Sequence, residues 1–372
     1  MFGKTRMTGL LVAAVVAASV TSARAGPVNF AMVTVGDPGN VADTTQHSGG
    51  DYPTGAVDYT YQIGAYDVTN NQYAAFLNAV ATGGDPYGLW NGNMQNDANS
   101  GIDRTGSGPY SYAVKPFQGN QPVVDVSFYD AVRFVNWLSN GQPTGAEGNG
   151  TTESGTYLIT GGGNDSGTVT IPTAVQRAAW AAGGSGVHWL LPSEDEWYKA
   201  AYYVGGGTNA GYWTYATRSN TAPTSQAPPG GANSANFDGP AGFALTQSAI
   251  YSATTDYLTN VGAYSNTVSP YGAFDMGGDV WQWNEADING DGTTRGIRGG
   301  SFDNDAVRLA STYDTDIGYA ADEFDDTGFR IASVGAAPEP ASLVLLLAGG
   351  FSLFALAWRR RRSDLPVHRV RF

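Results

Sequence analysis

A chain of 372 residues fits one large domain or two small ones, and its 51 glycines with abundant Asn, Thr, Ser and Tyr suit turns and short strands better than long helices. The formal charge of -14 understates the acidity, because between residues 26 and 340 there are 10 basic against 32 acidic residues, about -22, a body that repels nucleic acid and anionic membranes. The chain has no cysteine, which excludes disulfide staples, thiolate nucleophiles and soft-metal ligation by sulfur.

In chain order, Lys4 and Arg6 precede the apolar run from Leu10 to Val20, and Ala23-Arg24-Ala25 supplies a small-x-small cleavage pattern. Residues 1–25 therefore read as a signal peptide removed by signal peptidase, the apolar run being too short to cross a bilayer core. A strand is expected over Asp58 to Tyr66. Thr69-Asn-Asn-Gln72 is a capping box, and Tyr73, Phe76, Leu77 and Val80 follow at helical spacing. Val123 to Val126 reads as a strand. Ser127 and Asp130 open a second helix, with Ala131, Phe134, Val135 and Leu138 on one face, and Ser193 with Glu196 opens a third that turns Trp197, Ala200 and Ala201 inward. These stripes read as core, and Glu194-Asp195-Glu196 as carboxylates complementing a helix N-terminus rather than general acids. Residues 140 to 170, rich in Gly, Thr, Ser and Asn, predict an exposed insertion with a hairpin around Tyr157 to Thr160. Residues 218 to 243 predict another loop, broken by Pro228-Pro229-Gly230-Gly231.

Asp287-x-Asn289-x-Asp291-Gly292 has the start of a calcium-binding loop, but Arg298 stands where the closing bidentate Glu belongs, so a hairpin turn is expected. Strands follow over Arg295 to Arg298 and Gly328 to Ser333. No linker or fixed-period repeat interrupts residues 26–335, which read as one domain. Pro338-Glu339-Pro340 then leads into the apolar stretch Ala341 to Trp358, about 27 Å as a helix and close to the thickness of a bilayer core, followed by Arg359 to Arg362 and the tail 363–372. The four arginines predict a cytoplasmic end and an external domain, with the chain at least transiently in the inner membrane. His47 and His188 make no metal-binding pair, and no phosphate-binding Gly loop or Gly-x-Ser-x-Gly elbow is present.

Two resemblances rest on these residues. Residues 336–362 resemble the PEP-CTERM sorting signal of Gram-negative bacteria, read by an exosortase; the tail 363–372 departs from that pattern, in which the chain usually stops soon after the basic cluster. The series IGAYDVTNNQYAAFLNA (63 to 79), PVVDVSFYDAVRFVNWLS (122 to 139), WLLPSEDEWYKAA (189 to 201), SPYGAFDMGGDVWQWNE (269 to 285), RGIRGGSF (295 to 302) and GFRIA (328 to 332) resembles the sulfatase-modifying factor family, founded on formylglycine generation. The resemblance implies a loop-rich α+β fold related to C-type lectins. It also implies a copper site of two cysteines shortly after Gly-Gly-Ser, positions that are Asn304 and Leu309 here, so the family's copper mechanism has no ligands.

The same resemblance implies two structural calcium sites. One maps to Asp275, the carbonyls of Gly278 and Val280, and Gln282, where the family has Glu; the other maps to Asn236, the Phe237 carbonyl, Asp256 and the Leu258 carbonyl. Both clusters also read as hydrogen-bonded turns without metal. The exposed surface after Gly-Gly-Ser would include Phe302, Asp303, Asn304, Asp305 and Arg308 as a ligand-binding face. The expectation is an exported, surface-anchored, non-catalytic module for a protein or polysaccharide ligand. The alternative is a family enzyme with cysteine-independent oxidoreductase or peptide-modifying chemistry, for which no reactive residue set is visible.

Overall fold

A computed structural model describes residues 27–49, 53–183, 186–313 and 317–335. The expected signal peptide (1–25) and the expected membrane helix (341–358) lie outside these residues; among the described residues no helix is long and apolar enough to cross a membrane.

The architecture is α+β with short elements. One sheet runs in the order Met32–Val35, Tyr61–Gly64, Ala332–Val334, His188–Leu190, all antiparallel, so the first and last strands of the domain sit one strand apart. The second runs Ile317–Tyr319, Thr294–Arg298, Trp281–Asp287, Thr327–Phe329; its last pair is parallel, with Trp283 opposite Phe329. Helices Asn70–Val80, Phe128–Ser139 and Glu194–Tyr202 each begin on a complete capping box, at Thr69/Gln72, Ser127/Asp130 and Ser193/Glu196. Each box satisfies backbone donors that a helix start leaves unpaired. The buried faces of the first two helices meet in an aromatic cluster in which Phe134 touches Phe76, Trp137 and Phe329 at ring separations of 5.3 to 5.7 Å.

Three expectations require correction. Val123 to Val126 is buried but forms no strand: Val123 donates to the Val68 carbonyl, Asp125 to the Phe324 carbonyl, and Asp125 adopts φ +56, which a continuous ladder does not accommodate. Gly328 to Ser333 is two strands in different sheets, broken at Arg330 and Ile331, so that fully buried Arg330 lies between the sheets. The insertion is also less exposed than expected: Tyr157 and Ile159 enter the core, and Glu153 pairs with buried Arg133 at 2.8 Å. Two further helices, the single turn Asn93–Asn96 and Ala174–Gly183, lie outside the three expected, and Thr173 and Gln176 cap the second reciprocally. The strand expected over Asp58 to Tyr66 is confined to Tyr61–Gly64, while the hairpin Leu158–Thr160/Thr168–Thr170 and the turn between Asp287 and Gly292 form as expected.

Candidate functional site

The break between Thr327–Phe329 and Ala332–Val334 sets Arg330 beside two of the candidate residues, Gln282 and Asp275. Its Nε donates to Gln282 Oε1 at 2.6 Å, Nη1 to the Gly64 carbonyl, and Nη2 to Asp67 at 3.1 Å and to the carbonyls of Phe274 and Asp275. Gln282 also accepts from Trp197 Nε1 and donates to the Asp275 carbonyl. Its oxygen is thus saturated by two donors, one of them cationic, and faces a guanidinium. Gln282 does not fit as a calcium ligand in this arrangement, because Arg330 already supplies the positive charge there. Burial pushes Asp67 up to about 7 even beside that guanidinium.

Asp275 turns its carboxylate the other way and accepts from the Gly262 amide at 2.6 Å. Gly278, at φ +82, lets the chain pass so close to Asn236 that a Cβ would lie 2.3 Å from its carbonyl oxygen. That approach delivers Asp279: its amide donates to the Asn236 carbonyl, and its Oδ1 accepts from Asn236 Nδ2 at 2.7 Å and the Thr259 amide at 3.0 Å. Asp279 Oδ2 and Thr259 Oγ1 are buried without a partner. A cavity of about 20 Å³, room for one water or small ion, is lined by Asn236, Asp275, Asp279 and neighbours. Burial drives Asp279 well above the ordinary carboxylate range, with the Asp275 charge adding to it. The oxygens around this cavity suit a hard cation. The other members of that set are engaged elsewhere: Asp256 accepts from Gln118, Gln121 and the Leu258 amide, the Leu258 carbonyl from Gln121, and the Phe237 carbonyl from Ser225. The Gly278 carbonyl accepts from the Val280 amide.

After Gly299-Gly300-Ser301 the chain makes a capped turn. Gly300, at φ +71, packs so tightly on Leu309 that a Cβ would lie 2.7 Å from its Cδ1. Asn304 Oδ1 accepts from the Ser301 amide and hydroxyl, and Leu309 is buried with Ala235 and Phe237. An amide cap and an apolar cluster occupy the two positions where the resemblance implies copper ligands. Of the expected ligand face, Asp303 and Asp305 are exposed and Asn304 and Arg308 partly so, with Arg308 over the Tyr313 ring and 3.9 Å from Asp305. Phe302 is not on that face: it is 2% exposed, because its ring lies flat on Tyr257 at 5.4 Å and 3°. Tyr257 in turn stacks on Tyr251 at 5.5 Å and 16°, and Tyr251 leaves its outer side to solvent. The result is a three-ring pile ending at an exposed phenol, within electrostatic reach of Asp325, Asp97 and Asp303 and next in the chain to exposed Ile250. Tyr251 and Tyr257 lie in an irregular loop with no periodic pattern in the sequence to mark them.

The carboxylates of the third helix are structural. Glu194 holds Arg298 and Asn284; Glu196 accepts from Tyr59 at 2.7 Å and Arg177 at 2.6 Å; Arg177 bridges on to Glu285, which also takes the Tyr157 hydroxyl. His188 lies flat on Trp180 at 4.3 Å and His47 stacks on Tyr198.

A family model described as a sulfatase-modifying factor enzyme 1-like domain matches residues 21–334, and one described as a PEP-CTERM protein-sorting motif matches residues 336–362. No curated protein is similar to the chain at a significant level. Solved structures similar to it include CarF, at 21% identity and TM-score 0.48, covering 83% of this chain and 99% of that one. Treponema denticola variable protein 1 is similar at 20% identity and TM-score 0.44, covering 82% and 96%. PvdO from Pseudomonas aeruginosa is similar at 17% identity and TM-score 0.41, covering 82% and 92%.

Proposed function

The chain belongs to the sulfatase-modifying factor enzyme 1-like family, and from that premise we propose that it is a non-catalytic member whose domain, residues 26–335, binds polysaccharide at the cell surface or in the extracellular matrix. Its PEP-CTERM motif marks it as a bacterial protein exported to the cell envelope or surface and processed by an exosortase. In this reading the cell is of Gram-negative type, and the apolar stretch at 341–358 holds the precursor in the inner membrane until that processing.

The observation that carries the binding role is the pile Tyr251–Tyr257–Phe302 with its outer ring exposed. An aromatic face backed by two rigid rings offers an apolar plane at little entropic cost, suited to the C–H face of a sugar, while neighbouring Asp303 can accept from hydroxyls. The acidic surroundings favour neutral or amino sugars over uronates. The absence of thiolates where the family's copper is held supports the non-catalytic part. Calcium enters as a structural cation: Asn236 and Asp275, joined by Asp279, would hold it, and its charge would relieve the buried carboxylates. Gln282 would take no part.

The test is equilibrium binding of the full chain to a panel of neutral, amino and uronate polysaccharides. Binding to neutral or amino sugars that falls about tenfold, about 1.4 kcal/mol, in Tyr251→Ala with an unchanged unfolding midpoint is expected. Binding to none of them, or equal binding by the variant, would refute the assignment.

A further inference from the structure

A second acidic junction lies where the helix Phe128–Ser139, the hairpin after it and the loop following Ile317–Tyr319 meet. Asp130, Asp165 and Glu323, one from each, bring carboxylate oxygens to within 4.8 Å of one another. Asp130 is fully buried; its Oδ2 accepts from the Ser127 amide and hydroxyl, and its Oδ1 has no donor at all. Glu323 repeats the arrangement, with one oxygen taking the Asn91 amide and a buried Oε1 taking nothing. The Ser127 hydroxyl lies 2.8 Å from both Asp130 Oδ2 and Asp165 Oδ1 with one proton to give to either, and Asp165 Oδ2 accepts from Asn164. The nearby cation, Arg133, directs Nε and Nη2 to Glu153 and the Gly163 carbonyl, while its buried Nη1 has no hydrogen-bond partner and its charge only partly offsets burial at Asp130 and Asp165. Burying unpaired carboxylates costs several kcal/mol per ion unless positive charge joins them. Asp130 Oδ1, buried and without a donor, leaves a lone acceptor for such a charge.

We propose that Asp130, Asp165 and Glu323 form a divalent-cation site of the calcium class, separate from the cavity at Asp279. The donors are all oxygen, which selects a hard ion over zinc or copper. Oxygens that all lie within 4.8 Å of one another can be spanned by calcium's bonds of about 2.4 Å. Asp165 and Glu323 are partly exposed, which leaves the ion a way in. Bound there, the ion would tie the insertion to the helix that begins at Phe128.

The experiment is calcium titration calorimetry on the full chain after chelator treatment, comparing it with the double variant D165N/E323Q and with D279N. The expected result is a stoichiometry lower by one in D165N/E323Q, retention of this site in D279N, and an unfolding midpoint of the double variant in chelator no lower than that of the parent. Unchanged stoichiometry in D165N/E323Q, or no calcium binding by the parent up to about 10 mM, weaker than extracellular calcium modules require, would overturn the proposal. A double variant that fails to fold in chelator would also overturn it, because that result makes the carboxylates structural acceptors instead of ligands.

Discussion

Arg177 and Arg330 do comparable work in different halves of the domain: each is wholly buried and gathers acceptors from segments distant in sequence. Arg177 stands between Glu196 and Glu285, and replacing it with Met strands two buried carboxylates. The expected loss is about 3–5 kcal/mol, read as a fall in the denaturant midpoint at unchanged m-value. Several carboxyl groups are raised by burial, Glu285 and Asp67 to about 7, Glu147 and Glu323 to about 9. A native state that holds protons the unfolded chain releases is favoured below the unfolded pKa and loses that advantage as pH rises through the folded one. Metal-free protein should therefore melt at progressively lower temperature from pH 5 to pH 8, which scanning calorimetry at fixed ionic strength would record. Lys199, lowered to about 8 by burial, opposes the trend only above that pH. Single residues were the hardest scale to read from sequence. The positions lacking copper ligands were legible because they follow a distinctive Gly-Gly-Ser, whereas burial of Phe302 depends on Tyr257, which is 45 residues away in an irregular loop.

At the scale of elements, what is local was legible. Thr69/Gln72, Ser127/Asp130 and Ser193/Glu196 announce their helices because each box closes within four residues. Ser193→Ala should cost about 1 kcal/mol in chemical denaturation, the usual loss for a removed N-cap, with the fold retained. The same box at Thr173/Gln176 opens a helix whose one fully buried side chain is the charged Arg177, with Ala178, Trp180 and Ala181 only partly buried, so its apolar pattern is weak in the sequence. Val123 to Val126 was misread for the opposite reason. Four buried residues fit a strand equally well, and only their non-local partners, Val68 and the Phe324 carbonyl, decide against it. Gly328 to Ser333 looked continuous because nothing in the sequence reveals that Arg330 must turn inward between two sheets.

For the whole molecule, order of motifs and composition carried the reading: one α+β domain with few helices, strongly acidic, placed ahead of an export signal. The family's fold holds without its thiolates, and the turn after Gly300 has closed into an amide cap and an apolar cluster. The central claim is that this scaffold binds and does not oxidise. Its most direct test is to incubate the full chain with a cysteine peptide, copper and oxygen and to follow the peptide by mass spectrometry. The account predicts that the thiol is never converted to an aldehyde. Catalytic formation of formylglycine by a chain without a single cysteine would contradict it.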